Sequence, residues 1–422
     1  MKKNMRAVLR GAVFLPVLPL VFRVWVAALR LLGVLPRVRK ATGEPRRILV
    51  VNLTPNVGDT IMMLPFLDKL HETYPEAALQ VAVARPIGSL LRSIAYLERV
   101  HELEPERKLP PVMDHYVCVA GITRYAIRNL RNTSYDMCLM PRWGTDPLGS
   151  AFLAYLTDAP IRCGQDPREE HGAGERLPGT RFLMTQVIRG GHGLPEAVRE
   201  LRLLPECGLS GPIDEHAAER QTIASLLAIA HTAGTPQLWE RLGLDPDAPF
   251  AVISPGANAA FRRWPLERFA ETARLLREQY GFTFVAMGAP AERHLGETLE
   301  AISGGAIRSL AGMTTLPETV AVFSRAKLFL GNDSGPAHIA GGLGVHTLVL
   351  SVWPQSNQME GPSSPLRVRP AGPYVQVVRP HVCAPPCAPY CSAAEAHCIL
   401  DIQSGDLLAP VRAWFEDAPR AK

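Results

Sequence analysis

Short apolar runs, several rich in β-branched residues, recur along the chain and predict buried strands. Amphipathic stretches with helical spacing lie between many of them, such as TIMMLPFLDKLHETYP from residue 60 and PLERFAETARLLREQY from residue 265. This alternation predicts an α/β fold of two doubly wound, Rossmann-like domains that face each other across a cleft. The predicted strands are RRILVVNL from residue 46, ALQVAVA from 78, YDMCLMP from 135, FAVISPG from 250, FTFVAMG from 282, KLFLGN from 327 and TLVLSVW from 347.

The N-terminal segment differs in composition from the rest of the chain. Residues 1–40 contain nine Lys or Arg and no Asp or Glu, whereas the 422-residue chain has a formal net charge of +5, so the remainder is net negative. A nucleic-acid-binding protein usually carries its basic charge on the folded body, so a nucleic-acid partner is not expected.

The apolar part of this segment is interrupted by Arg23 and Arg30 and is too broken to span a bilayer. Arg23, Arg30 and Arg37 are seven residues apart and predict one positive stripe on a helix, with Trp25 among the apolar residues beside it. This pattern favours a helix in the interface of an anionic membrane, bound through residues 1–40. A helix packed on the domain and a signal peptide remain alternatives.

Polar side chains follow the predicted strand KLFLGN where it meets a helix, in the stretch LFLGNDSGPAHIAGGLG. Ser334 is predicted to cap that helix, and Pro336 suits its first turn. Free N–H groups and the helix dipole make such a start an anion site, so we expect a phosphate near Asp333 and His338. Motifs of nicotinamide, P-loop, zinc-protease and serine-hydrolase sites do not occur.

Three ordered motifs resemble glycosyltransferase family nine, the ADP-heptose:lipopolysaccharide heptosyltransferases. They are RRILVVNLTPNVGDTIMMLPFLDKLHETYPEA, VISPGANAAFRRWPLERFAETARLL and LAGMTTLPETVAVFSRAKLFLGNDSGPAHIAGGLGV, and the resemblance covers about residues 46–402. It implies a GT-B fold. The predicted division is a basic, apolar membrane-interfacial segment at 1–45, an acceptor-side Rossmann-like domain at 46–244, a nucleotide-sugar donor domain with a cysteine-rich tail at 245–402 and a C-terminal helix at 403–422. His346 and SVWP depart from the family pattern.

The resemblance also implies an inverting transfer of a sugar from a nucleotide-diphosphate donor. Asp59 matches the catalytic aspartate, which would take the proton of the acceptor hydroxyl. Arg262, with Arg263 beside it, matches a basic residue that would pair with phosphate oxygens. The donor-binding candidates are Arg262, Arg263, Asn332, Asp333, Ser334, Gly335 and His338, and the acceptor-side candidates are Asn56, Gly58, Arg142 and Trp143.

Four cysteines lie close together near the end of the chain, in CAPPCAPYCSAAEAHC, with His381 and His397 nearby. They suit a structural metal site, an iron–sulfur cluster or two disulfides, and their spacing is not the usual zinc pattern. The possible metal ligands are Cys383, Cys387, Cys391 and Cys398. No metal or other cofactor is expected to be required for catalysis.

The resulting functional hypothesis is transfer of a heptose-like sugar from an ADP-heptose-like donor to a lipid-linked or cell-envelope glycan acceptor such as lipopolysaccharide. The resemblance implies a cytoplasmic protein attached peripherally to the cytoplasmic face of the inner membrane. The alternative is a non-catalytic nucleotide-sugar binding protein that retains the fold. Asp59 and Arg262 favour the enzyme, because a protein that only binds needs no base.

Overall fold

The computed structural model divides the chain into two compact units. The first consists of Met1–Pro55, Pro65–His192 and Glu196–Ile213, and the second of Asn56–Leu64, Gly193–Pro195 and Asp214–Lys422. The residues that the structure describes are 17–33, 43–104, 111–130, 132–142, 149–166, 181–191, 193–214, 223–357, 364–388 and 390–416.

The first unit is built on six parallel strands. They are β1 (Arg47–Asn52), β2 (Ala78–Ala84), β3 (Leu97–Leu103), β4 (Met137–Met140), β5 (Ile161–Gln165) and β6 (Gln186–Ile188), in the order β3-β2-β1-β4-β5-β6. The helices along this part of the chain are α1 (Val17–Leu31), α2 (Val57–Thr73), α3 (Arg85–Leu91), α4 (Pro111–Asn129), α5 (Ser150–Leu156) and α6 (Glu196–Glu206). The chain reverses direction along the sheet between β1 and β4, which is the doubly wound pattern expected from the sequence.

The second unit repeats this topology. Its strands are β7 (Phe250–Ser254), β8 (Thr283–Ala286), β9 (Ile307–Ser309), β10 (Leu328–Asn332), β11 (His346–Leu350) and β12 (Val375–Val378), in the order β12-β11-β10-β7-β8-β9 and all parallel. Its helices are α7 (Ala224–Ala233), α8 (Pro236–Leu242), α9 (Leu266–Tyr280), α10 (Arg293–Ile302), α11 (Leu316–Arg325), α12 (Gly335–Gly342), α13 (Pro365–Val368) and α14 (Leu408–Phe415). The order reverses between β7 and β10.

The division of the chain differs in three places from the predicted boundary at residue 244, one of them being the short segment Gly193–Pro195, which belongs to the second unit. Helices α7 and α8 belong to the second unit, where the amide of Ile223 bonds to the carbonyl of Gly342 and α7 packs beside α11. Helix α2 is divided, because its residues up to Leu64 cluster with the second unit and those from Pro65 with the first. Residues 403–416 form a 3₁₀ turn and α14 within the second unit, where the sequence predicts a separate C-terminal helix.

Helix α1 packs on the first unit through one face. Phe22 and Val26 are buried in its core. The ring of Phe22 packs edge-on against the ring of Phe152 on α5, with 4.5 Å between the ring centroids. On the other side Val24 is 64% exposed and Leu31 is 83% exposed. The helix is therefore packed on the domain and also presents apolar side chains to solvent. Among the described residues, no helix is both long and apolar enough to cross a membrane.

The prediction that Arg30 belongs to a positive stripe on this helix, facing a membrane, is wrong. Its guanidinium points into the unit, with Nη2 2.7 Å from Asp158 Oδ1 and 3.0 Å from the carbonyl oxygen of Tyr155. A buried carboxylate needs a paired positive charge, and Arg30 provides it for Asp158. Arg23 is exposed, whereas Arg37 lies outside the described residues.

A buried histidine sits on β3 of the first unit. His101 Nε2 lies 2.8 Å from Gln80 Oε1, and Nδ1 lies 3.1 Å from the Tyr125 hydroxyl. A neutral ring satisfies both contacts, because Nε2–H donates to the amide oxygen and Nδ1 accepts from the hydroxyl. Burial lowers the pKa of His101 to about 4, with the charge of Arg99 acting in the same direction and that of Glu98 opposing it.

We expect this histidine to make the first unit sensitive to acid. Because its pKa is lower in the folded state, the unfolded chain binds the proton first, and stability falls as the pH drops below 6.5 towards 4. Between pH 7.5 and 5.5 the loss attributable to His101 is about 1 kcal/mol. Urea unfolding at the two pH values should show a pH-dependent loss smaller by that amount in His101→Gln. An equal loss in both proteins would contradict the assignment.

Candidate active site

The candidate site lies where the sheet of the second unit reverses direction. Strands β7 and β10 are neighbours there, with Gly331 paired to Ser254 near their carboxyl ends. The segment after β7 leads to Arg262, and the segment after β10 leads to Asp333. Ligands of doubly wound sheets bind at this position, outside the carboxyl ends of the strands.

Asn332 ties the two segments together. Its Nδ2 donates to the carbonyl of Pro255 at 2.7 Å, and its Oδ1 accepts from the amide of Trp264 at 3.0 Å. The residue is completely buried. Both ends of the side-chain amide therefore hold the segment after β7 in place, so Asn332 has a structural role. Its contact with the sugar donor, expected from the sequence, stays a prediction.

Arg262 and Asp333 form an ion pair across these segments. Arg262 Nη2 lies 2.7 Å from Asp333 Oδ2, and the side chains are 21% and 8% exposed. Arg262 Nε is buried without a hydrogen-bond partner among the described residues. A guanidinium oriented by one carboxylate keeps further N–H groups for a second anion, as the predicted phosphate contact requires.

Arg263 is used differently from its neighbour. Its Nε and Nη2 donate to the carbonyl of Ala257 at 3.0 and 2.9 Å. These bonds close the loop that carries Arg262. The structure thus assigns Arg263 a supporting contact, and a direct donor contact by this side chain stays a prediction.

The segment with Asp59 clusters with the second unit, as noted above. Asp59 lies in the first turn of α2, where the positive end of the helix dipole stabilises a carboxylate. Asn56 Nδ2 donates to Asp59 Oδ2 at 3.1 Å and so orients the carboxylate. Two residues predicted for the acceptor side, Asn56 and Gly58, are therefore direct neighbours of the predicted base.

The buried ring of His338 lies against this segment. A Cβ on Gly58 would stand 2.9 Å from His338 Cδ2, which explains why glycine precedes Asp59. Burial lowers the pKa of His338, the charges of Asp333 and Asp59 oppose that effect, and Arg262 adds to it. Because burial is the largest of these effects, the ring remains neutral near pH 7.

The start of α12 makes a second contact with the start of α2. A Cβ on Gly335 would come within 2.8 Å of Val57 Cβ, so only a glycine allows this approach. Ser334 occupies the N-cap position, but its hydroxyl donates to the carbonyl of Asn332 at 3.1 Å. The prediction that this hydroxyl caps the helix is therefore wrong. Pro336 lies in the first turn, as expected.

The remaining acceptor-side candidates follow β4 in the first unit. Arg142 is half-buried there. Trp143 lies outside the described residues. Their roles stay predictions.

Sequence reasoning missed Glu292, which follows β8. Its Oε2 accepts from the amide of Ala289 at 2.9 Å, and its carboxylate fills the space that a Cβ on Gly256 would need. It therefore lies beside the loop after β7, in the 3₁₀ turn Pro290–Glu292 that follows the strand next to the reversal. The only sequence signal was a carboxylate shortly after a predicted strand, which is too common to single out.

The cysteine-rich segment also belongs to the second unit. Three of the four predicted ligands, Cys387, Cys391 and Cys398, come together with His397, and their ligand atoms all lie within 4.8 Å of one another. Cys383 is not part of this group, although the sequence suggested it as the first ligand. His397, noted in the sequence as a flanking residue, takes its place.

Comparison with known proteins identifies a family. The model of glycosyltransferase family 9 (heptosyltransferase) matches residues 123–396, more than half of the chain, and this range includes Arg262 and Asp333 but begins after Asp59. The lipopolysaccharide heptosyltransferase 3 of Escherichia coli is 24% identical over 305 residues, which are 70% of this chain and 80% of that protein. The resemblance found in the sequence is thereby confirmed.

Solved structures agree on the fold. A glycosyltransferase of family 9 from Veillonella parvula superposes with a TM-score of 0.67 at 17% identity, covering 90% of this chain and 100% of that chain. The E. coli heptosyltransferase WaaC with ADP superposes with a TM-score of 0.62 at 18% identity, covering 87% and 99%. The predicted two-domain α/β fold of GT-B type is confirmed.

Proposed function

The chain belongs to glycosyltransferase family 9, and from that premise we propose that it moves a heptose-like sugar from a nucleotide-diphosphate donor to lipopolysaccharide or another cell-envelope glycan. The E. coli relative is a lipopolysaccharide heptosyltransferase, and WaaC was solved with ADP, which supports this choice of acceptor and donor. The observation that carries the proposal is the ion pair of Arg262 and Asp333 at the reversal of the sheet, together with the turn before Asp59, where Gly58 lies against the ring of His338.

In the proposed mechanism, Asp59 takes the proton of an acceptor hydroxyl as that oxygen attacks the anomeric carbon. The bond from the anomeric carbon to the diphosphate oxygen breaks on the opposite face, so the configuration inverts. Arg262 and the N–H groups at the start of α12 stabilise the charge that develops on the leaving diphosphate. Asp333 holds the guanidinium in place, and the neutral His338 supports the turn that carries Asp59.

The direct test is a transfer assay with the purified full chain. It uses ADP-, UDP- and GDP-sugars with lipopolysaccharide acceptors that lack successive outer sugars. We expect turnover with an ADP-linked heptose and one acceptor in the series. Tight nucleotide-sugar binding without transfer or hydrolysis for any pair would contradict the proposal and favour a non-catalytic binding protein.

Glu292 is expected to contact the nucleoside. In dinucleotide-binding doubly wound sheets an acidic residue accepts a hydrogen bond from the ribose 2′-hydroxyl, and Glu292, which follows β8, the second strand of this unit, is a candidate for the same contact here. Glu292→Gln should weaken ADP and adenosine binding equally, by roughly tenfold, because both ligands carry the ribose. Calorimetry measures both affinities, with the exposed Glu297→Gln on α10 as the control. Unchanged adenosine affinity in Glu292→Gln would contradict the contact.

Peripheral attachment to the anionic, cytoplasmic face of the inner membrane is proposed for the N-terminal segment. It is supported by the apolar side chains that α1 exposes and by the basic residues before and after it. Deletion of residues 1–40 is a poor test, because Phe22 and Val26 belong to the core of the first unit.

Substitution of the exposed residues separates membrane binding from folding. Val24→Ser with Leu31→Ser should reduce binding to anionic vesicles at least about tenfold, since each side chain loses burial in lipid, and should leave the unfolding temperature nearly unchanged. Vesicle sedimentation measures binding, and Leu227→Ser, exposed on α7, is the control. Equal binding of the double variant and the unaltered chain would remove α1 from membrane attachment.

A further inference from the structure

The cysteine-rich segment between β12 and α14 holds a compact set of ligand atoms. The sulfurs of Cys387, Cys391 and Cys398 and a ring nitrogen of His397 all lie within 4.8 Å of one another. All three cysteines are buried and form no disulfide, and His397 is half-buried. Three thiols and an imidazole form one of the common donor sets of structural zinc sites.

The distances in the cluster fit a tetrahedral ion. His397 Nδ1 lies 3.5 Å from Cys387 Sγ and 3.5 Å from Cys398 Sγ. With Zn–S near 2.3 Å and Zn–N near 2.0–2.1 Å, the sulfur–nitrogen edge of a tetrahedron is about 3.6 Å. These two sulfur–nitrogen pairs therefore already have the separation that a shared zinc ion would impose.

Neighbouring groups favour thiolates at this position. The amide of Ser392 donates to Cys387 Sγ at 3.4 Å, and its hydroxyl lies 3.7 Å from the same sulfur. Such contacts orient and stabilise metal-bound sulfur. The cluster also packs in the apolar core of the second unit with Ile399 and Ile402, where thiolates without a cation would be costly.

We propose that Cys387, Cys391, His397 and Cys398 bind one structural Zn²⁺. Four protein ligands close the coordination sphere, so the ion has no open position for a substrate. Cys383 is not a ligand. The set contains an imidazole, whereas iron–sulfur clusters usually take four thiolates. The proposal is independent of the sugar-transfer function.

The ligands connect directly to the supports of the candidate active site. Cys398 begins the 3₁₀ turn Cys398–Asp401, and the next carbonyl, that of Ile402, accepts from Trp264 Nε1 at 3.0 Å and from Arg268 Nη1 at 2.6 Å. The amide of Trp264 in turn donates to Asn332, as described above. The ion would thus fix the base on which the Arg262 segment rests.

The experiment measures metal in the full chain, purified without chelators and without a histidine tag. Mass spectrometry of the unaltered protein should find about one zinc per chain. Cobalt in place of zinc should give the visible absorption of a tetrahedral site and a thiolate charge-transfer band. Cys387→Ser and His397→Ala should lose most of the bound metal, whereas Cys383→Ser, which alters a nearby cysteine outside the set, should keep it.

Several results would contradict the proposed zinc site. Iron with sulfide, a disulfide among these cysteines, or protein that takes up no zinc after incubation with zinc sulfate would overturn the proposal. Loss of zinc in Cys383→Ser with retention in His397→Ala would overturn the ligand set. If a variant does not fold, the metal content and cobalt spectrum of the unaltered protein still decide whether the site exists.

Discussion

Replacing Asp59 by asparagine should lower the rate of sugar transfer by about 10²–10⁴-fold. Asparagine has nearly the same shape and can keep the contact with Asn56, but it cannot accept the proton of the acceptor hydroxyl. Donor affinity should change little, because the interaction that is lost belongs to the transition state. Steady-state kinetics and donor calorimetry on the same preparation separate the two quantities.

A matched control is available on the same helix. Glu72 is exposed in the last turn of α2, where it pairs with Lys69, so Glu72→Gln removes one negative charge far along the helix from the predicted base. It should transfer sugar at the normal rate. Near-normal turnover of Asp59→Asn would exclude Asp59 as the base, and a parallel loss of donor affinity would indicate that it binds the donor instead.

Replacing Arg262 by alanine should weaken binding of the nucleoside diphosphate by about 2–3 kcal/mol, which is roughly 30- to 150-fold. Two effects act together, because the phosphate loses a charged donor and Asp333 is left as a buried carboxylate without its partner. Binding of the nucleoside alone should be unchanged. Calorimetry with both ligands tests the difference, using the nucleotide that binds best in the donor panel.

The two effects can be separated by a second substitution. Adding Asp333→Asn to Arg262→Ala removes the unpaired carboxylate and should restore part of the lost diphosphate affinity. Arg325→Ala, which removes an exposed arginine of the same unit, should leave diphosphate binding unchanged. Equal losses for nucleoside and diphosphate in Arg262→Ala would contradict a phosphate contact.

The central strands of both sheets were predictable because burial on both faces leaves a plain signature. RILVVN in β1 and LFLGN in β10 are almost wholly buried, and each was predicted from its run of apolar residues. The edge strands were missed for the opposite reason. LERVHEL in β3 has the adjacent exposed residues Glu98 and Arg99, and IRS in β9 has only three residues, so neither carries enough apolar pattern.

The sequence indicated which charged residues the candidate site contains, but not which partners these and the neighbouring side chains contact. Asp59, Arg262 and Asp333 carry chemistry that a motif can reveal. The use of Arg263 to hold Ala257, and of Asn332 to hold Trp264, depends on partners set by the folded loops. Arg30 was misplaced for the same reason, since its partner Asp158 is more than a hundred residues away.

The division of α2 bears on how chimeric enzymes should be built. Exchanging acceptor specificity between relatives suggests a single junction between the two halves of the chain, but that cut would also transplant Val57, Gly58 and Asp59. Val57 and Gly58 pack on Gly335 and His338, so a turn taken from another relative would meet a surface that did not evolve with it. Junctions near residues 55, 65 and 213 would instead keep the turn with its own donor half, and such hybrids should retain the donor preference of that half.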